Sequence, residues 1–197
     1  MTQQQQPWPA LADASLSYQP DFLSDEQADQ YLRTLRQTLA WQQDQIKLFG
    51  RAVAIPRLQC WYGDSGLTYR YSGLSMSARP WTSELQQLRR QIEQHSGYRF
   101  NAVLANLYRD GQDSMGWHAD NEPELGTNPV IASLSLGQQR SFKLRRRDNP
   151  RQQVELELQH GSLLVMAGTT QQYWQHALPK RKRLNQPRVN LTFRLIR

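Results

Sequence analysis

Beyond Phe100 the chain breaks into short apolar stretches separated by turn signals, and this rhythm restricts its fold more than any other feature. The stretches cover 101–108, 130–136, 140–145, 153–158, 162–167 and 188–196. Asp110-Gly111, Gly137, Asn149-Pro150 and His160-Gly161 punctuate them. Apolar runs this short, bounded by Gly, Pro, Asn and Asp, predict strands rather than helices. Helices are expected before them. Ser24 reads as an N-cap, with Asp25 and Glu26 in the first turn and Gln27 at the capping-box position; Ala28, Tyr31, Leu32, Leu35 and Leu39 then recur at helical spacing. A second helix follows Thr82, with Leu85, Leu88 and Ile92 as its stripe and Gly97 just past its end. Short strands after helices predict an α+β chain, a β-sandwich or jelly roll with the N-terminal helices packed on one side. Residues 1–20, rich in glutamine and proline, read as a flexible N-terminal arm.

The last stretch carries the first chemical hint. Arg188, Asn190, Thr192 and Arg194 share one strand face by period two, and Val189, Leu191 and Phe193 share the other. Arginines on an inward strand face are costly unless an anion meets them. A dicarboxylate does so through bidentate, charge-assisted hydrogen bonds. His118 and Asp120 are also two apart, which on a strand places both side chains on one face, and His176 arrives from far along the chain. Two imidazoles and a carboxylate on one side of an ion leave positions open opposite, the facial arrangement of non-haem iron(II) oxygenases. H-x-D alone is a weak pattern; the arginine face is what gives it weight. Asn106 and Tyr108, again two apart on the preceding strand, are placed to donate hydrogen bonds into the same pocket.

Formal charge is +7 and the sequence pI about 9.9, which raises the expectation of a polyanionic partner. Lys180-Arg181-Lys182-Arg183, just after His176, is the densest basic run, and Arg145, Arg146, Arg147 and Arg151 extend it. The single cysteine, Cys60, rules out an intramolecular disulfide. No stretch approaches the roughly 20 apolar residues of a membrane span, and the Gln-rich start lacks the apolar core of a signal peptide. A cytoplasmic monomer with no membrane partner is expected.

Taken in order, the motifs resemble a known family. Asn106-Leu107-Tyr108, Gly116-Trp117-His118-Ala119-Asp120-Asn121-Glu122, His160 to Met166, His176-Ala177-Leu178-Pro179 and Arg188 to Arg194 resemble the AlkB family of nucleic-acid dealkylating dioxygenases. Ile55-Pro56-Arg57, Tyr62-Gly63-Asp64 and Leu67 to Gly73 carry the resemblance toward the branch that repairs double-stranded DNA in animals. The resemblance implies a double-stranded β-helix (jelly-roll) core and iron(II), with 2-oxoglutarate and O2 as co-substrates. It implies a DNA repair dioxygenase that removes alkyl groups from bases such as N1-methyladenine and N3-methylcytosine, releasing formaldehyde, succinate and CO2. The residues themselves leave open an RNA or protein demethylase on the same scaffold.

By family pattern, His118, Asp120 and His176 would hold the metal. Asn106, Tyr108, Arg188 and Asn190 would hold the distal carboxylate of 2-oxoglutarate, and Arg194 the end nearest the metal. Tyr69, Tyr71 and Glu122 would meet the damaged base; Asn121 departs from the acid common in the animal branch. Phe49 resembles an intercalating wedge, and Arg51, Arg57, Arg181, Lys182 and Arg183 would contact DNA. The implied organisation is one dioxygenase domain over 21–197, with a nucleotide-recognition lid and support helix at 49–99 and the jelly-roll catalytic core at 100–197.

Overall fold

The computed structural model describes residues 10–48, 50–71 and 74–197, with the main chain alone at 46–48, 69–71 and 74–76. In chain order the elements are β1 (Ser15–Gln19), α1 (Asp25–Thr38), β2 (Gln45–Leu48), β3 (Arg51–Ala54), β4 (Leu58–Gly63), β5 (Thr68–Tyr71), β6 (Leu74–Ser77) and α2 (Ser83–Ser96). Then come β7 (Ala102–Tyr108), β8 (Met115–His118), a 3-10 turn at Pro123–Leu125, β9 (Ile131–Gly137), β10 (Arg140–Arg146), β11 (Gln153–Leu158), β12 (Leu163–Ala167), α3 (Thr170–Tyr173), β13 (Trp174–Leu178) and β14 (Arg188–Arg194). A six-stranded sheet, β1-β12-β9-β14-β7-β4, packs against a four-stranded sheet, β11-β10-β13-β8, and β2-β3 and β5-β6 form separate two-stranded ribbons. The strand pairings are antiparallel, as a jelly roll requires.

Period-two alternation divides the interior into two cores. Val189, Leu191 and Phe193 of β14 point away from the small sheet and pack with Leu35 of α1 and Leu85, Leu88 and Ile92 of α2. Each fully buried leucine there contributes roughly 1.5–3 kcal/mol. The opposite face of the large sheet meets the small sheet through Leu104, Leu164, Met166, Phe142, Leu144, Trp174 and Leu178. The helices are therefore confined to one side, and the space between the sheets is left for the functional site. Both helix starts form as the sequence predicts. The Ser24 side chain accepts from Gln27 N while the Gln27 side chain accepts from Ser24 N, and Thr82 caps α2, which ends on Gly97 at φ 76°.

Two expectations about organisation need correction. Within the segment read as a loose arm, Ser15–Gln19 pairs in register with β12, Ser15 opposite Ala167 and Gln19 opposite Leu163. Tyr18 is buried, and its hydroxyl donates to Glu157 O and accepts from Gln159 N. The strand is short, and its apolar alternation, Leu16 then Tyr18, is too brief to register before its partner is known. The jelly-roll core, expected over 100–197, likewise begins earlier, because β4 lies within the 49–99 segment and joins the large sheet beside β7. Among the described residues no helix is long and apolar enough to cross a membrane.

Candidate active site

His118 ends β8 and sits directly opposite His176 of β13. Asp120 lies two residues past the end of that strand rather than on it, since β8 ends at His118. It is held in place by other means. Its main-chain N–H donates to Gln171 Oε1 at 2.9 Å, and its Oδ1 accepts from Arg194 Nη2 at 2.8 Å. With Oδ1 so occupied, Oδ2 faces His176 Nε2 at 4.0 Å. One ligand atom from each of His118, Asp120 and His176 falls within 4.8 Å of the others. His118 Nδ1 is 2.9 Å from Gly116 O; a proton there donates to that carbonyl and leaves the Nε2 lone pair for a metal.

The electrostatics favour the ligating protonation states. Burial alone would raise the Asp120 carboxyl, but Arg194, His176 and His118 outweigh it and hold the pKa at about 2. Burial, joined by repulsion from His118, pushes His176 down to about 3. Burial also lowers His118, against the pull of Asp120. At neutral pH the cluster is thus one carboxylate and two neutral imidazoles, the state that binds a divalent cation.

Across the cavity stands the polar face of β14. Arg188, Asn190, Thr192 and Arg194 line it with Asn106, Tyr108, Ser133, Met166 and the three candidate ligands. Arg188 is 1% exposed, and its guanidinium makes one hydrogen bond among the described residues, from Nη2 to Ser135 Oγ at 2.9 Å. Its Nε and Nη1 are buried without a partner. Its Cζ lies 5.4 Å from the centre of the Tyr108 ring. Burial pushes this guanidinium down to about 10, still charged at neutral pH. Two orphaned donors on one buried cation fit a carboxylate of the 2-oxoglutarate class. Asn190 is already satisfied: Nδ2 donates to Ser133 Oγ and Leu134 O, and Oδ1 accepts from Thr192.

The remaining sequence candidates divide. Arg57 does not reach outward for phosphate. It is 4% exposed, and its Nε donates to Asn106 Oδ1 at 2.9 Å and its Nη2 to Gln59 Oε1 at 3.4 Å. Its position just before β4 turns it into the sheet, where Asn106 and Gln59 are cross-strand neighbours. Arg51 is exposed on β3, and Lys182 and Arg183 are exposed in the loop before β14. Arg181 is engaged by Glu155 at 2.9 Å and Glu157 at 3.2 Å. Glu122 is half-buried at the start of the 3-10 turn, two residues beyond Asp120. Tyr69 and Tyr71 lie on β5, their side chains outside the described atoms, and Phe49 lies outside the described residues.

Sequence reasoning passed over Gln171 and Arg140. Gln171 follows no periodic pattern, so nothing marked it as the holder of Asp120. Arg140 carried a signal: by period two it shares a face with Phe142 and Leu144, and an arginine on an apolar strand face calls for an explanation.

A family model described as the 2OG-Fe(II) oxygenase superfamily matches residues 15–194. The human "Alpha-ketoglutarate-dependent dioxygenase alkB homolog 3" is 41% identical over 186 residues, covering 90% of this chain and 64% of the relative. The mouse "DNA oxidative demethylase ALKBH2" is 43% identical over 180 residues, covering 86% of this chain and 75% of the relative. This chain thus spans somewhat under two thirds of the length of the human relative. The solved structure "The structure of OsALKBH1" superposes with a TM-score of 0.62 at 16% identity, over 95% of this chain and all of that one, and speaks for the fold alone. With His118, Asp120 and His176 gathered opposite Arg188 between two jelly-roll sheets, the chain belongs to the 2OG-Fe(II) oxygenase superfamily, among the AlkB homologues.

Proposed function

We propose that this protein is an iron(II)- and 2-oxoglutarate-dependent dioxygenase that removes alkyl groups from damaged bases in DNA. One observation carries the reading: a His-Asp-His cluster and a buried, half-unpaired arginine share one cavity. His118, His176 and Asp120 Oδ2 hold the metal. Arg188, with Tyr108, Asn106 and Asn190 around it, receives the distal carboxylate of 2-oxoglutarate. Arg194 keeps Asp120 ionised and oriented, and sits at the end of the co-substrate nearest the metal. The bound iron supplies oxidative cleavage of the N-alkyl C–H bond, paired with decarboxylation of the oxo acid. The chain supplies ligands, orientation and a dry cavity lined by Leu104, Phe142, Met166 and Leu178.

The substrate reading rests on relatives whose names specify a DNA oxidative demethylase and on surface chemistry. A methyl on N1 of adenine or N3 of cytosine blocks pairing, which lowers the cost of extruding the base. Tyr69, Tyr71 and Glu122 receive that base beside the metal. The β2–β3 ribbon pairs Leu48 opposite Arg51, and Gly50 precedes β3 at φ 78°. Phe49, outside the described residues, is read from the sequence resemblance as a wedge into the base stack, and the exposed Arg51 of β3 as a phosphate contact. Lys182 and Arg183 meet phosphates, with Arg181 beside them.

Incubation with iron(II), 2-oxoglutarate and oligonucleotides carrying N1-methyladenine is expected to release formaldehyde and return the unmodified base by mass spectrometry. Consumption of 2-oxoglutarate with no turnover of any nucleic acid would move the substrate to another class, a protein side chain first.

A further inference from the structure

Arg140 opens β10 behind Tyr108, a residue that lines the oxo-acid pocket, yet the roles assigned above make no use of it. It is 1% exposed. Its Nη1 donates to Asp110 O at 3.1 Å, and its Nη2 donates to Asp113 O at 2.9 Å and Pro179 O at 2.8 Å. Its hydrogen bonds thus go to main-chain carbonyls, and the nearby Asp113 carboxylate is taken by Arg109 N, Nε and Nη2 at 2.8 Å each. The Arg140 Cζ lies 5.8 Å from the Tyr108 ring centre, against 5.4 Å for Arg188. Two buried guanidiniums therefore face one phenol ring.

The carbonyls that Arg140 grips belong to two different segments. Asp110 and Asp113 are in the turn between β7 and β8. Pro179 begins the basic loop that runs through Lys180–Arg183. The same two segments are joined again at Gly111, whose N–H donates to Leu184 O at 2.9 Å and whose carbonyl accepts from Arg181 N at 2.8 Å. The approach is so close that a Cβ on Gly111 would stand 1.9 Å from Arg181 O. The basic loop is thus fastened at Gly111 and at Arg140, and Arg140 faces the same ring as the orphaned Arg188.

We propose that Arg140 is a positioning residue that couples the oxo-acid pocket to the basic loop, so that a dicarboxylate against Arg188 and Tyr108 and the fixed placement of Lys180–Arg183 stabilise each other. This rests on the reading that Arg188 and Tyr108 receive the dicarboxylate. The physical basis is charge and geometry. Arg140 and Arg188 repel across Tyr108, and an incoming carboxylate relieves that repulsion. Relief lets Arg140 keep its carbonyl contacts, and those contacts hold the loop. Coupling of this kind is reciprocal: a loop held in place favours the anion by the factor with which the anion favours the loop. Lysine cannot replace the planar fork that spans three carbonyls.

The test uses the full chain loaded with Mn(II), without nucleic acid. Binding of 2-oxoglutarate is read by calorimetry, and loop placement by the rate of tryptic cleavage at Lys180–Arg183, followed by mass spectrometry. In the wild type, 2-oxoglutarate is expected to slow cleavage of the loop. Arg140→Lys and Gly111→Ala are each expected to weaken 2-oxoglutarate binding about tenfold and to hasten cleavage. Mn(II) affinity, unchanged in both, reports an intact fold. Gly111→Ala is the sharper variant, because Gly111 does not line the pocket. A freed loop with wild-type 2-oxoglutarate affinity in Gly111→Ala overturns the coupling, and so does wild-type cleavage indifferent to 2-oxoglutarate. Arg188→Met separates the two levels of argument. Wild-type affinity in that variant means the assignment of Arg188 is itself wrong; lost affinity there, with affinity retained in both other variants, means that the coupling alone is wrong.

Discussion

Arg188 is a cation placed where a protein rarely keeps one, enclosed between two sheets with a single hydroxyl for company. Its replacement by methionine, which fills similar volume without charge, is expected to raise the KM for 2-oxoglutarate by roughly 10–100-fold, from the ~1.5–3 kcal/mol of a hydrogen bond to a charged group. The same variant, free of ligand, should melt no lower than the wild type, because removing an unpaired buried charge relieves desolvation. Scanning calorimetry without 2-oxoglutarate checks this second half. Gln171→Ala takes away the acceptor that fixes the Asp120 main chain, and should weaken metal binding by about 10–100-fold in a competitive chelator titration. The metal cluster and Arg188 were legible in the sequence because ligand chemistry and period-two spacing are both local properties. Arg57 was misplaced for the complementary reason. Charge is visible in a sequence, but whether a cation turns in or out depends on which strands pair, here β4 with β7.

Among elements, α2 shows how one buried carboxylate joins a helix to a sheet. Glu93 accepts from Phe100 N at 2.9 Å, Arg89 Nε at 3.2 Å and Arg99 Nη1 at 3.1 Å, and so ties the helix to the segment entering β7. Burial alone would raise its pKa, but these donors prevail and hold it below the ordinary 4.5. A depressed carboxyl pKa stabilises the fold above the unfolded value, and that stability is lost as pH falls through the folded value. Glu93→Gln should therefore destabilise by about 1–3 kcal/mol at pH 7, with the gap to wild type closing below pH ~4.5 in urea unfolding. The proposed wedge carries a different prediction. Phe49→Ala should cut repair of duplex substrates far more than of single strands, and equal losses on both would remove the wedge. The long helices and most strands beyond Phe100 follow directly from caps and apolar runs. The ribbons, β8 and β13 do not, because they are short and their apolar residues are interrupted by the site's own polar ones, as in Met115–His118 and Trp174–Leu178.

At the scale of the whole molecule the formal charge of +7 argues for long-range attraction to a polyanion. Each phosphate neutralised on duplex DNA adds about −0.9 to the slope of log affinity against log salt. Lys182→Ala with Arg183→Ala should flatten that slope by about 2, measured by fluorescence anisotropy across a salt series. Arg181→Ala should flatten it less, since Glu155 and Glu157 already share its charge. A slope unaffected by Lys182 and Arg183 would place the DNA elsewhere on the surface.

The strand that was least visible in the sequence has the widest reach. By lying along β12, Ser15–Gln19 takes the edge position of the large sheet itself and keeps the apolar strand Leu163–Ala167 off that edge. An unpaired rim is a template for other chains, and a flat one recruits them edge to edge. A truncation that starts after Gln19 would leave the metal cluster and Arg188 untouched and still be a poor protein to handle. It should self-associate on concentration and express largely as insoluble material, and light scattering would show this before any assay of activity did. The first strand thus acts as a guard on solubility for a catalytic framework to which it contributes no ligand.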